Sequence, residues 1–120
     1  MSVPRIWIAV GLGGALGTSL RAAISLTAIA FLPQIAYLAT LIANCLGAAL
    51  IGYLATRPLS AWAKGFWMAG FCGGFTTFSM FSLEVVLLGA QSVGLALAYG
   101  SASLALWILS VWAGWRLGQR

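Results

Sequence analysis

Four long apolar runs, separated by brief polar punctuation, occupy almost the whole chain. A helix rises about 1.5 Å per residue, so roughly 20 apolar residues cross a hydrocarbon core of about 30 Å. Runs of this length predict four transmembrane helices. The first is expected from about Pro4 to Ala30, with Arg5 at its start and Pro33 breaking the chain after it. The second is expected from about Ile35 to Thr56, ending at the Arg57-Pro58 turn. The third starts near Trp62, with Lys64 at the interface, and reaches about Leu88; the fourth runs from about Val93 to Leu117. The runs are continuous rather than alternating, which argues against β-barrel strands. Every face is apolar, so periodicity does not separate buried from lipid-facing sides. Four spans use nearly all 120 residues, so residues 1–120 are expected to form one four-helix transmembrane domain. The first run is long enough to be a span, and no small-residue cleavage site follows it, so it is not read as a signal peptide.

Composition fixes the solvent. The chain is 62% hydrophobic and 6% charged, against about 25% charged residues in an ordinary soluble domain. So few charges do not cover a water-facing surface, and lipid must take that place. The formal charge is +5, from six basic residues and one acid. The basic residues mostly stand at helix ends, where they set topology and meet headgroups, so the charge does not point to nucleic acid. Arg5, Arg57, Lys64, Arg116 and Arg120 all fall on the side that holds both termini, which the positive-inside rule places in the cytoplasm. Trp7, Trp62, Trp67, Trp112 and Trp115 lie near span ends, as interfacial belts require. Cys45 and Cys72 sit inside apolar runs without metal-ligand spacing, and read as small packing residues.

Three features stand out from this apolar background. The third span reads Gly70-Phe71-Cys72-Gly73-Gly74-Phe75-Thr76-Thr77-Phe78-Ser79-Met80-Phe81-Ser82. Glycine weakens a helix by about 1 kcal/mol relative to alanine, and hydroxyls satisfy backbone groups that a break releases. The segment therefore predicts a helix interrupted near mid-membrane, where freed carbonyls and amides meet ions. Close packing through Gly70-xxx-Gly74 accounts for the glycines but not for the Thr-Thr-Phe-Ser run. Second, Thr40 and Asn44 are four apart on span two, Tyr99 and Ser103 four apart on span four, and Ser110 follows seven later. Such spacing stacks side chains on one face. These neutral donors suit a small anion, and they equally suit hydrogen bonding between helices, worth about 0.6 to 2 kcal/mol each. Third, Arg21 and Glu84 are deep charges, costing roughly 2.5 to 3.5 kcal/mol each at a span centre. Arg21 either attracts an anion at a vestibule or snorkels to headgroups. Glu84 pairs with Arg21, or with a partner chain, or serves a structural role.

These residues together resemble the bacterial fluoride channels, the Fluc/CrcB family of fluoride exporters. The carrying segments are Gly13-Gly14-Ala15-Leu16-Gly17-Thr18-Ser19-Leu20-Arg21, Thr40 through Gly47, and above all Gly70 through Glu84. The resemblance implies a passive fluoride channel in the bacterial inner membrane, built as a dual-topology antiparallel dimer with two fluoride pathways. It implies a structural sodium ion at the dimer centre, held by the backbone carbonyls of Gly73 and Thr76. It implies that Phe78 and Phe81 turn ring edges toward fluoride and that Asn44 lines the path, with Ser79 and Thr77 in the same polar segment. Tyr99 and Ser103 match the polar side of the fourth span. Fluoride holds its water tightly, so donors must replace those hydrogen bonds, and the positive edge of an aromatic ring contributes without trapping the ion.

Dual insertion calls for a weak basic bias, whereas this chain gathers its basic residues on one side. The unit is therefore either a homodimer that overrides the bias or a heterodimer with an oppositely oriented sister subunit. The competing reading is a small proton-coupled exporter of cationic drugs, but that class uses an acid in span one, where this chain has Arg21. A purely structural membrane subunit would carry no ion flux. No His, no Asp and no acid–base pair argue against an enzyme.

Overall fold

The computed structural model describes residues 3–120, and among them four helical spans are long and apolar enough to cross a membrane. Helix α1 (Val3–Phe31) is followed by a short 3-10 turn at Pro33–Ile35, where proline cannot continue the helix. Helix α2 (Tyr37–Leu54) returns across the bilayer. The third span, Ala61–Gln91, is in two arms. We call its first arm α3 (residues 61–75). It opens on an α-helical turn at Ala61–Ala63, continues as a wide π-helix over Lys64–Cys72, and closes on one turn at Gly73–Phe75. Thr76 and Thr77 are extended, and α4 (Phe78–Gln91) completes the span. Helix α5 (Val93–Gly118) is the fourth span. The predicted spans stand, with ends shifted by at most three residues, as expected of fraying termini.

Helix starts follow local chemistry. Ser60 Oγ accepts the Ala63 N–H at 3.2 Å, and Ser92 Oγ accepts the Leu95 N–H at 3.2 Å. Ser92, extended at φ −157°, is the single residue between α4 and α5, so these helices form a tight hairpin. The long axis of the molecule is 51 Å, enough to cross a bilayer of about 40–45 Å including headgroups.

Glycine sets which helices touch. Gly13 and Gly17 of α1 lie on the Phe66 and Phe71 carbonyls of α3, while Gly70 and Gly74 of α3 lie on Val10 and Gly14 of α1. Any side chain there would collide with backbone. Four residues of α1 thus keep pace with five residues of α3, and that mismatch is what the π-helix, with its i→i+5 bonds, provides. The same wide register spaces Gly65 and Gly70 five apart, both against α1. The π-helix was not legible in the sequence, because it follows from the partner's spacing. Helices α2 and α5 meet likewise, with Gly52 on the Val111 carbonyl and Gly114 on the Ala49 carbonyl. Gly65 beside Ile6, and Gly118 beside Thr56, place both chain ends and the α2–α3 turn at one end of the bundle. Arg5, Arg57, Lys64, Arg116 and Arg120 belong to that end.

The lateral surface is apolar. Trp7, Trp62, Trp67, Trp112 and Trp115 are all at least 40% exposed, as an interfacial belt needs. The small core joins Phe81, Leu88, Ala96 and Tyr99, with Tyr37, Leu41, Val85 and Trp107 against it. Close helix approach makes a specific expectation. Gly17→Ala should lower stability by about 1–3 kcal/mol, because its methyl group meets backbone. Gly11→Ala, which meets nothing within 4 Å, should leave stability unchanged or raise it. Unfolding by SDS in mixed micelles reads both.

Candidate ion pathway at the broken third span

The break is held by side chains from two other helices. Asn44 of α2 donates from Nδ2 to the Thr77 carbonyl at 2.9 Å and accepts the Thr77 N–H on Oδ1 at 2.7 Å. One amide thus stands in for both halves of a missing backbone pair. On the opposite side, the Gly74 carbonyl accepts from Thr18 Oγ1 at 3.3 Å and from Arg21 Nε at 3.1 Å. Thr76 Oγ1 turns back to the Cys72 carbonyl at 2.9 Å. Thr77 Oγ1 caps α4 by accepting the Met80 N–H at 3.2 Å. These bonds divert the two N–H groups that would otherwise close on Gly73 and Thr76. The carbonyls of those two residues are therefore free at the break. The break also brings together opposite dipole ends: the carbonyl end of α3 is negative and the amide end of α4 is positive.

Glu84, the only acid, lies on α4 between α2 and α5. Thr40 Oγ1 donates to its Oε1 at 2.7 Å, and Tyr99 Oη donates to its Oε2 at 2.6 Å. The Tyr37 carbonyl lies 3.2 Å from the same hydroxyl, and the Tyr37 and Tyr99 rings meet edge-on at 5.1 Å. Of the pairings expected for Glu84, the one with Arg21 is not formed: the Arg21 Nε–H is turned to the Gly74 carbonyl. The physical reason is position, since Arg21 sits beside α3 and Glu84 beside α2 and α5, so each finds a neutral partner first.

Two cavities flank this arrangement. One, of about 230 Å³, is lined by Asn44, Ala48, Thr76, Thr77, Phe78 and Trp107 at the break. The other, of about 270 Å³, includes Thr40, Tyr37, Glu84 and Gln91 and lies toward the end with the α1–α2 and α4–α5 turns. Between them runs one face of α5, on which Tyr99 and Ser103 are buried.

The structure brings most of the sequence-predicted residues together. Thr40, Asn44, Tyr99 and Ser103 are buried, as stacked faces require, while Ser110 is only partly so. Asn44 is committed to Thr77, leaving one amide hydrogen for another acceptor. Phe81 is buried in the core and Phe78 is 66% exposed; their rings are 5.4 Å apart. Ser79 is exposed, with its Oγ 3.2 Å from Thr77 Oγ1. Gly73 is also exposed, with open space where a side chain would point. The glycine-packing and helix-break readings of the third span both hold: Gly70 and Gly74 seat α1, and Thr76-Thr77 carries the break. Thr18 and Trp107 were missed. The signal for Trp107 was its place, four residues beyond Ser103 and eight beyond Tyr99, on the same face.

The chain is a four-span membrane protein whose third span breaks at its middle, held by Asn44 on one side and by Thr18 with Arg21 on the other. Residues 8–115 match the family described as CrcB-like protein, Camphor Resistance (CrcB). The chain is 40% identical to the "Fluoride-specific ion channel FluC" of Stutzerimonas stutzeri strain A1501, covering 96% of this chain and 98% of the relative. It is 44% identical to the protein of the same name from Azotobacter vinelandii, over 91% and 93% of the two chains. It is 43% identical to that of Pseudomonas fluorescens strain Pf0-1, over 93% and 94%. The chain belongs to the CrcB family.

The geometry assigns Asn44 a load on folding as well as a place beside the cavity. Asn44→Ala leaves both Thr77 backbone groups unpaired and should destabilise the protein by about 1–3 kcal/mol. Thermal unfolding in detergent, with the loop-end variant Gln91→Ala as control, measures this; equal midpoints for Asn44→Ala and the parent would overturn the assignment.

Proposed function

We propose that this chain is a subunit of a fluoride-selective channel that lets cytoplasmic fluoride leave a bacterial cell passively through the inner membrane. The observation that carries the reading is the line of neutral polar groups between two cavities, on Asn44, Thr77, Tyr99 and Ser103, in a chain 40–44% identical to named fluoride channels. Hydroxyl and amide groups replace the water that fluoride sheds, and without a fixed cation beside them they release it again. Phe78 and Phe81 add positive ring edges along the same path. The driving force is the membrane potential. About 100 mV, negative inside, pushes a monovalent anion outward by about 2.3 kcal/mol, equivalent to a concentration ratio of about fifty. Proton-coupled export fits less well, because both Glu84 carboxylate oxygens already accept hydrogen bonds from neutral hydroxyls.

Assembly as a dimer follows from what one chain leaves uncovered. Gly73, Phe78 and Ser79 are exposed at the middle of a membrane span, beside freed carbonyls. Lipid does not hydrogen-bond such groups. A second copy, inserted the other way up, brings the two breaks face to face; a sister subunit of opposite orientation would do the same. The carbonyls of Gly73 and Thr76, doubled across the dimer, fit a sodium ion, since hard cations take oxygen ligands. The Thr76 hydroxyl is turned away to Cys72, so main-chain oxygens are the donors. Such an ion would tie the two breaks together and neutralise the carbonyl ends of both α3 helices.

Fluoride efflux from liposomes holding only this protein tests the function, with chloride as control. Rapid fluoride loss without chloride loss is expected, and an empty-liposome rate would refute the reading. Phe78→Ile should slow efflux at least tenfold if the ring edge acts, on the scale of one lost electrostatic contact of about 1.4 kcal/mol. Phe78 is the sharper probe, since Phe81 also packs the core. For assembly, Gly73→Cys in a chain freed of Cys45 and Cys72 should form a disulfide-linked dimer in membranes; recovery of monomer alone would count against facing breaks.

A further inference from the structure

We propose that Trp107 is a direct fluoride contact, its indole N–H donating to the ion as it passes between the two cavities. The proposal rests on the channel reading and extends it to a residue that neither the span pattern nor the polar spacing singled out. Three observations carry it. The Trp107 Nε1 atom is buried and has no hydrogen-bond partner among the described residues, and the Ser103 Oγ, one helical turn earlier, is in the same state. Trp107 lines the cavity at the break together with Asn44 and Thr77. Its ring is pinned, edge-on to Phe81 at 4.7 Å and 72° and to Phe78 at 6.5 Å and 65°.

A buried indole N–H nearly always finds an acceptor, because water is lost to it and the donor is strong. The close edge-on contact with buried Phe81 holds the indole plane, so it does not swing out to find one. The acceptor must therefore come to the indole. Two of the groups around the cavity favour an anion: the Asn44 amide has one hydrogen left, and the amide end of α4 begins at Phe78. Tyr99, Ser103 and Trp107 follow at four-residue intervals on one face of α5. The first hydroxyl is bound to Glu84, and the next two donors have no partner. The stripe thus leads from the carboxylate-lined cavity to the break. A neutral N–H suits this aromatic stretch, where a cation would hold the ion too long. Fluoride, the strongest halide acceptor, gains more from such a rigid donor than chloride does.

Two substitutions keep the shape and remove the donor: Trp107→Phe, and a genetically encoded benzothienylalanine at position 107, which puts sulfur in place of the N–H. Each is measured by fluoride efflux from liposomes. In parallel, the indole 15N–1H resonances of the unmodified protein in micelles are followed during sodium fluoride titration, with sodium chloride as control. The proposal expects about tenfold slower efflux for both variants, the scale of one charge-assisted hydrogen bond. It also expects one indole resonance to move downfield with fluoride and not with chloride, and to be missing from the benzothienylalanine protein. Full efflux in the benzothienylalanine protein, or no fluoride-dependent indole shift, overturns the proposal while leaving the channel reading intact. A Trp107→Phe chain that fails to fold leaves the isosteric variant and the resonance to decide. Absence of efflux in the unmodified protein is the distinct result that removes the channel reading itself.

Discussion

Hydrocarbon offers no hydrogen bonds, and the structure is organised by that constraint at one place. Breaking the third span at Thr76 and Thr77 releases backbone donors and acceptors where neither water nor lipid can take them. Asn44 replaces the missing pair with one side-chain amide, and Thr18 with Arg21 holds the Gly74 carbonyl. Each of these residues must sit at a fixed depth on its own helix. The glycine contacts that fix the depth of α1 on α3 are therefore part of the same device, and so is the π-helical stretch that keeps their registers matched.

The two deep charges illustrate how a membrane protein keeps ionic groups from acting as traps. Arg21 and Glu84 do not pair with one another. Each meets neutral oxygen or hydroxyl partners on a neighbouring helix, at separate positions around the break. Between the two cavities lie the amide, hydroxyl and indole groups of Asn44, Tyr99, Ser103 and Trp107. Oriented dipoles, including the amide end of α4, bias the cavity at the break, whereas the Glu84 carboxylate borders the other cavity. In the proposed channel this arrangement suits a strongly hydrated anion: enough donation to strip water, and not enough to hold the ion.

Much of this was legible in the sequence. Continuous apolar runs gave the number of spans and their approximate ends, because length and hydropathy alone decide insertion. The Thr-Thr-Phe-Ser run gave the break, and the four-residue spacings of Thr40 with Asn44 and Tyr99 with Ser103 gave the buried faces. What failed to show was what depends on two helices at once. The π-helix answers the spacing of Gly13 and Gly17 on another helix. The Arg21–Gly74 contact depends on which helix lies beside α1. Trp107 was hidden because a tryptophan near a membrane span reads as belt or packing until its unpartnered N–H is seen.

The central claim is that neutral donors along one buried corridor select and pass fluoride. Its most direct measurement is the reversal potential of the purified chain in a planar bilayer, with fluoride and chloride gradients set in opposite directions. The account expects a current that reverses at the fluoride equilibrium potential. Reversal at the chloride potential, or no current at all, would contradict it.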